Sequence, residues 1–465
     1  MADFNIADYL KEHPVPYTSE SAAAEEPDRP VFEKLCRTVR ERFDLLLESR
    51  ENSKAALEMQ KRAIIGYSKE KQYFIRRTEE IIAGLGAASA EFPPWYSSLS
   101  EAVYQENWGL AGLSEWFGPE YAQSSSAKII GENIFFMRDG RMTLMPQTIS
   151  RDRFEQLIKA FLLLNPEERM DREYHETYLL DGTRVTIFTE PMAKKGQACM
   201  IFRRYLIPQY SFEEQARRGT IPNAAIPLFR EMVSLGFNMV FAGAVRTAKT
   251  TFLSTWQSYE DPSLEGVMVE TDPEIPLHRL LPGSPLIQII ADGQKLSGIA
   301  KNILRSDADY LIMAEARDGV ALDTAVRLAC KGTKRMKLTF HTRRAEAFPT
   351  EAAAEIARSF PGTDMALTAR MVASSFDYIF HFVQLKDKRE KRLNGIYQMN
   401  CDAAGNVDIS PICRYDYNSG RWFFKGLPGP AQRAWGLESD PESYGRMEAE
   451  LRRLEKLSEK SGGVF

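Results

Sequence analysis

The residues best placed by type and spacing to do chemistry lie between Phe237 and Trp256, FNMVFAGAVRTAKTTFLSTW. Met239-Val240-Phe241-Ala242 is an apolar run of strand length that stops at Gly243. Ala244, Val245, Arg246, Thr247 and Ala248 follow with no apolar period. After Lys249-Thr250-Thr251, Phe252, Leu253 and Trp256 recur at helical spacing. Strand, tight loop, Lys-Thr and helix is the layout of a phosphate-binding loop. Backbone N–H groups and about half a positive charge at a helix N-terminus favour an anion there. Lys249 would reach the outer phosphates of a nucleotide, and the Thr250 hydroxyl would sit on Mg²⁺. The pattern G-x-x-x-x-G-K-[ST] is met except that Ala248 stands in place of the second glycine.

A phosphate loop that hydrolyses ATP needs carboxylates at neighbouring strand ends. Two segments qualify, and a third strand ends in a histidine. Tyr310–Ala314 is an apolar strand ending in Glu315, with Arg317 and Asp318 beyond. Gly266–Val269 leads into Glu270, Thr271, Asp272, Pro273 and Glu274. Thr339-Phe340 ends in His341, one of only five histidines. Each also has a bland reading: an acidic turn, a strand that happens to end in a carboxylate, a satisfied histidine. Their order behind the loop separates the two readings.

The elements that must position these groups follow from hydrophobic period. Phe32, Leu35, Val39, Phe43, Met59, Ile64, Phe74, Ile81 and Ile82 recur at helical spacing. They imply helices up to Gly84-Leu85-Gly86 that need a neighbour to pack on. Ile134–Met137 and Met142–Met145 read as a hairpin about Asp139-Gly140. Asp152–Leu164 reads as a helix, Tyr178–Leu180 and Arg184–Phe188 as a second hairpin, and Ala198–Phe202 as a further strand. Pro208 to Gly219 reads as a linker with a short helix. Downstream, strands at Gly266–Val269, Leu286–Ile290, Tyr310–Met313, Lys337–Phe340 and Tyr378–Phe382 alternate with helices, the signature of a largely parallel sheet. Ile396–Met399 and Val407–Ile412 read as strand–turn–strand, and Tyr444–Leu457 as a terminal amphipathic helix. The division expected is a flexible arm (1–30), a helical region (31–98), a small α/β domain (99–206), an ATPase domain (207–430) and a helical tail (431–465).

Bulk properties narrow the function classes. The 465 residues are too many for one core. A net charge of −4 carries no footprint of bulk nucleic-acid binding. The five cysteines are scattered, without a C-x-x-C pair, which suits a reducing compartment. The N-terminus lacks a basic segment followed by a long apolar core, so no signal peptide is expected. No run of 18 apolar residues exists, so no membrane span is expected.

In order and spacing, these segments resemble the type II/type IV secretion ATPase family, most of all the CpaF-like ATPases of Tad pilus assembly, over about residues 105–415. Asn107–Leu113 is similar to the opening of that family's N-terminal domain, Asp181-Gly182-Thr183-Arg184-Val185 to its DG-x-R-V stretch, and Phe202-Arg203-Arg204 to its I-R-[KR] stretch. Ser211–Gly219 corresponds to the interdomain linker. Glu270 and Glu274 fall on the Asp-box carboxylates, Leu304-Arg305, Asp309 and Glu315-Ala316-Arg317 on the Walker B segment, and Thr339-Phe340-His341 on the His box. The resemblance implies a RecA-like P-loop ATPase domain preceded by a smaller α/β domain. It also implies a homo-hexameric ring using ATP and Mg²⁺, cytoplasmic, and peripheral to a membrane through platform proteins. It further implies that Glu315 acts on Mg²⁺ and the attacking water, Glu270 as general base and His341 as γ-phosphate sensor. Arg203, Arg204 and Arg305 would supply the cationic side.

The chain departs from the family's G-G-T-G-S-G-K-T-T loop at several glycines. Arg246 adds a charge, Thr271 replaces an Asp, Ala308 a Pro, Ala314 a Gly and Val320 a Glu. The glycine-rich turn before the His box has lost its His. The expectation is a secretion or pilus-assembly ATPase. Two alternatives stand beside it: a non-hydrolysing subunit of the same kind of machinery, and a DNA-translocating P-loop ATPase.

Overall fold

The computed structural model describes residues 29–48, 53–162, 173–204, 209–271, 274–291, 293–303, 305–316, 318–387, 389–402 and 404–460. The N-terminal arm expected over 1–30 therefore falls almost wholly outside the described residues, as do Asp272, Pro273, Leu304 and Arg317. The chain is a mixed α/β protein that divides into two compact units between Leu206 and Ile207.

In the first unit, helices Arg29–Glu48, Ser53–Ile65 and Ser68–Gly84 do find the neighbour they need. Phe32, Val39, Phe43, Phe74 and Ile82 bury against Leu99, Val103, Tyr104 and Trp108, on and just after helix Leu99–Asn107. Beyond them lie six antiparallel strands: β1 (Ser126–Ile130), β2 (Asn133–Arg138), β3 (Arg141–Thr148), β4 (Tyr174–Tyr178), β5 (Arg184–Phe188) and β6 (Cys199–Arg203), in the order β3-β2-β1-β6-β5-β4. The first hairpin turns at Asp139-Gly140, both with positive φ (47° and 77°), which matches the twist of the flanking strands. The second hairpin differs from its expected register. Leu179–Thr183 is a turn, closed by the Asp181 carboxylate accepting from the Thr183 N–H, and the strand before it is the more polar Tyr174–Tyr178. A strand whose exposed face carries Tyr174, Glu176 and Tyr178 has no apolar period to announce it.

The second unit is built on nine strands: β7 (Met239–Gly243), β8 (Gly266–Glu270), β9 (Leu286–Ile290), β10 (Tyr310–Ala314), β11 (Lys337–Phe340), β12 (Tyr378–Gln384), β13 (Lys391–Cys401), β14 (Val407–Asp416) and β15 (Arg421–Phe424). Their order is β15-β14-β13-β12-β7-β11-β10-β8-β9. From β12 to β9 every pairing is parallel, and β13 to β15 extend it as an antiparallel wing. All five residues of β7, β8 and β10 are buried, because helices cover both faces. Alternation decides which core each residue enters. Met239 and Phe241 join Phe252, Trp256 and Phe380 on one face, while Val240 and Ala242 join Leu338, Leu322 and Phe348 on the other.

The short helix of the linker and the terminal helix both pack into this unit. Phe212 opens the helix Phe212–Arg217, is fully buried and stacks on Tyr259 at 4.2 Å, so the linker is anchored here. Helix Pro441–Lys460 contributes Tyr444, Met447, Leu451 and Leu454 to the same core. Among the described residues, no helix is long and apolar enough to cross a membrane.

Candidate functional site

The ends of β7, β10 and β11 converge because the three strands run parallel and adjacent. Each C-terminal end therefore opens on the same edge of the sheet, the place where open α/β sheets bind ligands. The loop leaves β7 at Gly243, whose φ is 145°. A Cβ there would run into the Phe382 carbonyl oxygen and Thr247 Oγ1, so only glycine fits. Ala244, Val245 and Arg246 are exposed, and Thr247 is buried with its hydroxyl donating to the Ala244 carbonyl at 2.9 Å. Arg246 and Ala248 have φ of 65° and 72°, the left-handed region that glycine occupies without strain. Ala248 is the N-cap of helix Lys249–Gln257, so Thr250 and Thr251 lie in its first turn, where backbone N–H groups have no partner within the helix.

Lys249 is 5 % exposed, and its Nζ donates to the Ala244 carbonyl at 2.8 Å. The same Nζ lies 3.2 Å from His341 Nδ1, and His341 Nε2 lies 3.5 Å from Glu315 Oε1. Burial pulls the Lys249 ammonium down to about 8, against the opposing pull of Glu315 and Glu274. Glu315 itself is left-handed (φ 58°), and its N–H donates to Thr339 Oγ1 at 2.7 Å. That contact ties the end of β10 to β11.

Glu270 is differently placed. It ends β8 beside Ala314 in register, but its carboxylate is buried and held by its own loop. Oε1 accepts from the Ile275 N–H at 2.9 Å and the Glu274 N–H at 3.2 Å, and Oε2 accepts from Gln288 Nε2 at 3.2 Å. Desolvation nevertheless pushes its carboxyl up to about 8. Glu274, four residues on, is a carboxylate whose charge, after that of Glu315, acts on Lys249.

Within the second unit, Arg305 does not stand at this edge. Arg305 lies on the turn before β10, at the opposite end of the strand from Glu315. Arg204 is spent within the first unit. It donates to the carbonyls of Tyr121 (3.0 Å) and Trp116 (3.4 Å), and its guanidinium sits 4.1 Å over the Trp116 ring. Arg203 ends β6 with its side chain exposed.

Beside the loop is a cavity of about 450 Å³ that no sequence motif marks. Ala248 and Thr251 form one wall, Tyr210 and Arg218 another, and Arg389 and Lys391 of the β12–β13 turn a third. The charged run 386–392 was its only trace in the sequence.

For Mg²⁺, the donor set fits. Thr250 and Glu315 offer hard oxygens but no all-protein cage, and no cluster of three or more acidic, His or Cys side chains suited to a metal occurs among the described residues. Mg²⁺ is commonly held in this way, by one or two protein oxygens, phosphates and water.

No protein-family model and no curated protein matches the chain. Among solved structures it is similar to the VirB11 ATPase of the Brucella suis type IV secretion system in complex with sulphate (16% identity, 62% of this chain and 95% of that chain, TM-score 0.33). It is also similar to the pilus retraction motor PilT with bound ADP (14%, 72% and 90%, TM-score 0.43) and to the Legionella pneumophila ATPase DotB (14%, 76% and 92%, TM-score 0.42).

Proposed function

We propose that the chain is a RecA-like P-loop ATPase that works as a homo-hexameric ring, cytoplasmic and peripheral to a membrane, driving pilus assembly or protein secretion. The division into arm, helical region, small α/β domain, ATPase domain and tail is part of this reading. The observation that carries it is the convergence of Lys249, His341 and Glu315 from the ends of three adjacent parallel strands, at 3.2 and 3.5 Å.

In this reading the first-turn N–H groups and Lys249 hold the phosphates, and the nucleoside end lies toward the cavity walled by Thr251, Tyr210 and Lys391. Lys249 leaves the Ala244 carbonyl for the phosphates, which restores a counter-charge to a desolvated ammonium. When bound by Thr250 and Glu315, Mg²⁺ would neutralise charge developing on the phosphoryl oxygens. His341, bridging Lys249 and Glu315, would register the outermost phosphate. Glu274 takes the role of the second carboxylate, with Glu270 shaping its loop. Purified protein should hydrolyse ATP, and Lys249→Ala should lower kcat/KM at least 100-fold, the order of one preorganised charge contact in a dry site. Undiminished turnover in that variant would sink the reading.

The left-handed Arg246 and Ala248 favour a second reading, a nucleotide-binding subunit that does not hydrolyse. ATP binding without turnover in the wild-type protein would select it.

A further inference from the structure

His381 stands on β12 beside Ala242 of β7, which in turn stands beside Phe340 of β11. Its strand neighbours Phe380 and Phe382 enter the core shared with Phe252 and Trp256. His381 therefore points to the opposite face, with Ala242 and Phe340. There the chain continues from β11 through His341 into a loop that ends at the turn Ala345–Ala347, packed on β12. The loop is tied internally, Thr342 Oγ1 donating to the Arg344 carbonyl at 2.9 Å and accepting from its N–H at 3.2 Å. At His381 the pairing of β12 with β13 shifts from Gly395 to Leu393, so Asn394 is the extra residue of a β-bulge. Asn394 Oδ1 accepts from the Tyr417 hydroxyl at 2.6 Å, which leaves its Nδ2 to donate to His381 Nδ1 at 3.2 Å. Nδ1 is then the acceptor of a neutral ring, and the proton sits on Nε2. Burial holds the imidazole below its ordinary value, against the pull of the Thr342 and Arg343 backbone beside it. Yet the buried Nε2 has no hydrogen-bond partner among the described residues. An orphaned buried donor is costly unless another state of the protein supplies its acceptor.

Resting on the nucleotide reading above, we infer that His381 is a positioning residue for His341: its Nε2–H takes a backbone carbonyl of Thr342 or Arg343 when His341 engages the outermost phosphate. The two histidines bear on the same short loop. His341 opens it and lies 3.2 Å from Lys249 Nζ and 3.5 Å from Glu315 Oε1, while His381 faces the backbone of the next two residues. A change at His341 moves the loop as one piece, because Thr342 and Arg344 hold each other. Phenylalanine at 381 would fill the space without a donor. Glutamine would keep both an acceptor for Asn394 and an N–H for the loop.

The test uses the full chain and compares binding of a non-hydrolysable ATP analogue with binding of ADP. It therefore reads the outermost phosphate whether or not the protein hydrolyses. His381→Phe should lose about fivefold in affinity for the triphosphate, the order of one net hydrogen bond, and stay within about twofold for ADP. His381→Gln, which keeps the donor, should stay within about twofold of wild type for both. Equal losses for the two nucleotides, or an equal loss of triphosphate affinity in both variants, would mark a general structural role and overturn the inference. So would unchanged triphosphate affinity in His381→Phe. Should His381→Phe fail to fold, the wild-type protein decides. With its five histidines ¹⁵N-labelled, the His381 Nε2–H resonance should move downfield with the triphosphate and not with ADP. The same resonance in both complexes overturns the inference. A wild-type chain that binds neither nucleotide removes the nucleotide reading, and the inference with it.

Discussion

At the scale of single residues, two backbone conformations and one buried cation set the character of the site. Ala248 holds a left-handed conformation that costs an L-residue about 1–2 kcal/mol, while glycine there would lose some of that gain through its freer unfolded chain. Ala248→Gly should therefore stabilise the protein by about 1 kcal/mol, read as a shift in the denaturant midpoint. Gly243→Ala should do the reverse, because its Cβ has no room beside Phe382. Lys249 has a folded-state value depressed to about 8 from 10.5. Its charged form is the one that folding disfavours. The lysine thus costs stability below pH 8, and the cost fades as pH rises from 8 toward 10.5. Phosphate binding needs the charged form. Nucleotide affinity should be flat below pH 8 and fall by up to about tenfold per pH unit above it, a trend that Lys249→Arg removes. Titration with a fluorescent ATP analogue across that range measures it.

At the scale of elements, parallel pairing explains why groups far apart in sequence meet. Lys249, Glu315 and His341 each stand at or just beyond a strand's C-terminal end, and neighbouring parallel strands bring those ends together. The opposite end of the same strands is held differently. Lys337, the first residue of β11, is fully buried and donates to Glu260 at 2.6 Å, and Arg335 meets the same carboxylate at 2.6 Å. Removing one partner leaves a charge in the core. Glu260→Gln should cost about 3–5 kcal/mol by denaturant unfolding, and adding Lys337→Met should recover much of it. A neutral single variant would show that the pair is not held in the core as described. The Asn238 side chain joins the same end by donating to the carbonyls of Thr333 and Ser375 and accepting from the Met336 N–H. None of these contacts has a sequence signature, because each spans residues far apart along the chain.

At the scale of the whole molecule, each unit has its own cores. Every residue of the two clusters lining the nine-stranded sheet lies beyond Ile207, including the terminal helix that hydrophobic period alone set apart as a tail. A fragment covering 207–465 should therefore fold alone, melt cooperatively and keep Lys249-dependent nucleotide binding. A fragment cut before Pro441 should not, because it exposes the surface that Met447, Leu451 and Leu454 cover. Calorimetry and a nucleotide titration on both fragments check this.

Hydrophobic period and motif order, read along the chain, were enough to locate the loop between β7 and helix Lys249–Gln257, most strands of the large sheet and the residues Lys249, Glu315 and His341, which the fold brings together. Those features depend on local spacing, which the linear sequence carries. Tertiary structure alone decided that Arg246 and Ala248 are left-handed, that Glu270 turns into its own loop, and that His341 stands between Lys249 and Glu315. It also decided that Arg305 lies at the far end of β10 and that Arg204 is occupied by Trp116 and Tyr121. The physical reason is the same in each case. Whether a charged side chain faces a ligand or a carbonyl depends on which strand ends, turns and donors the fold brings beside it, and those neighbours are set by pairing across the sheet rather than by adjacency in sequence.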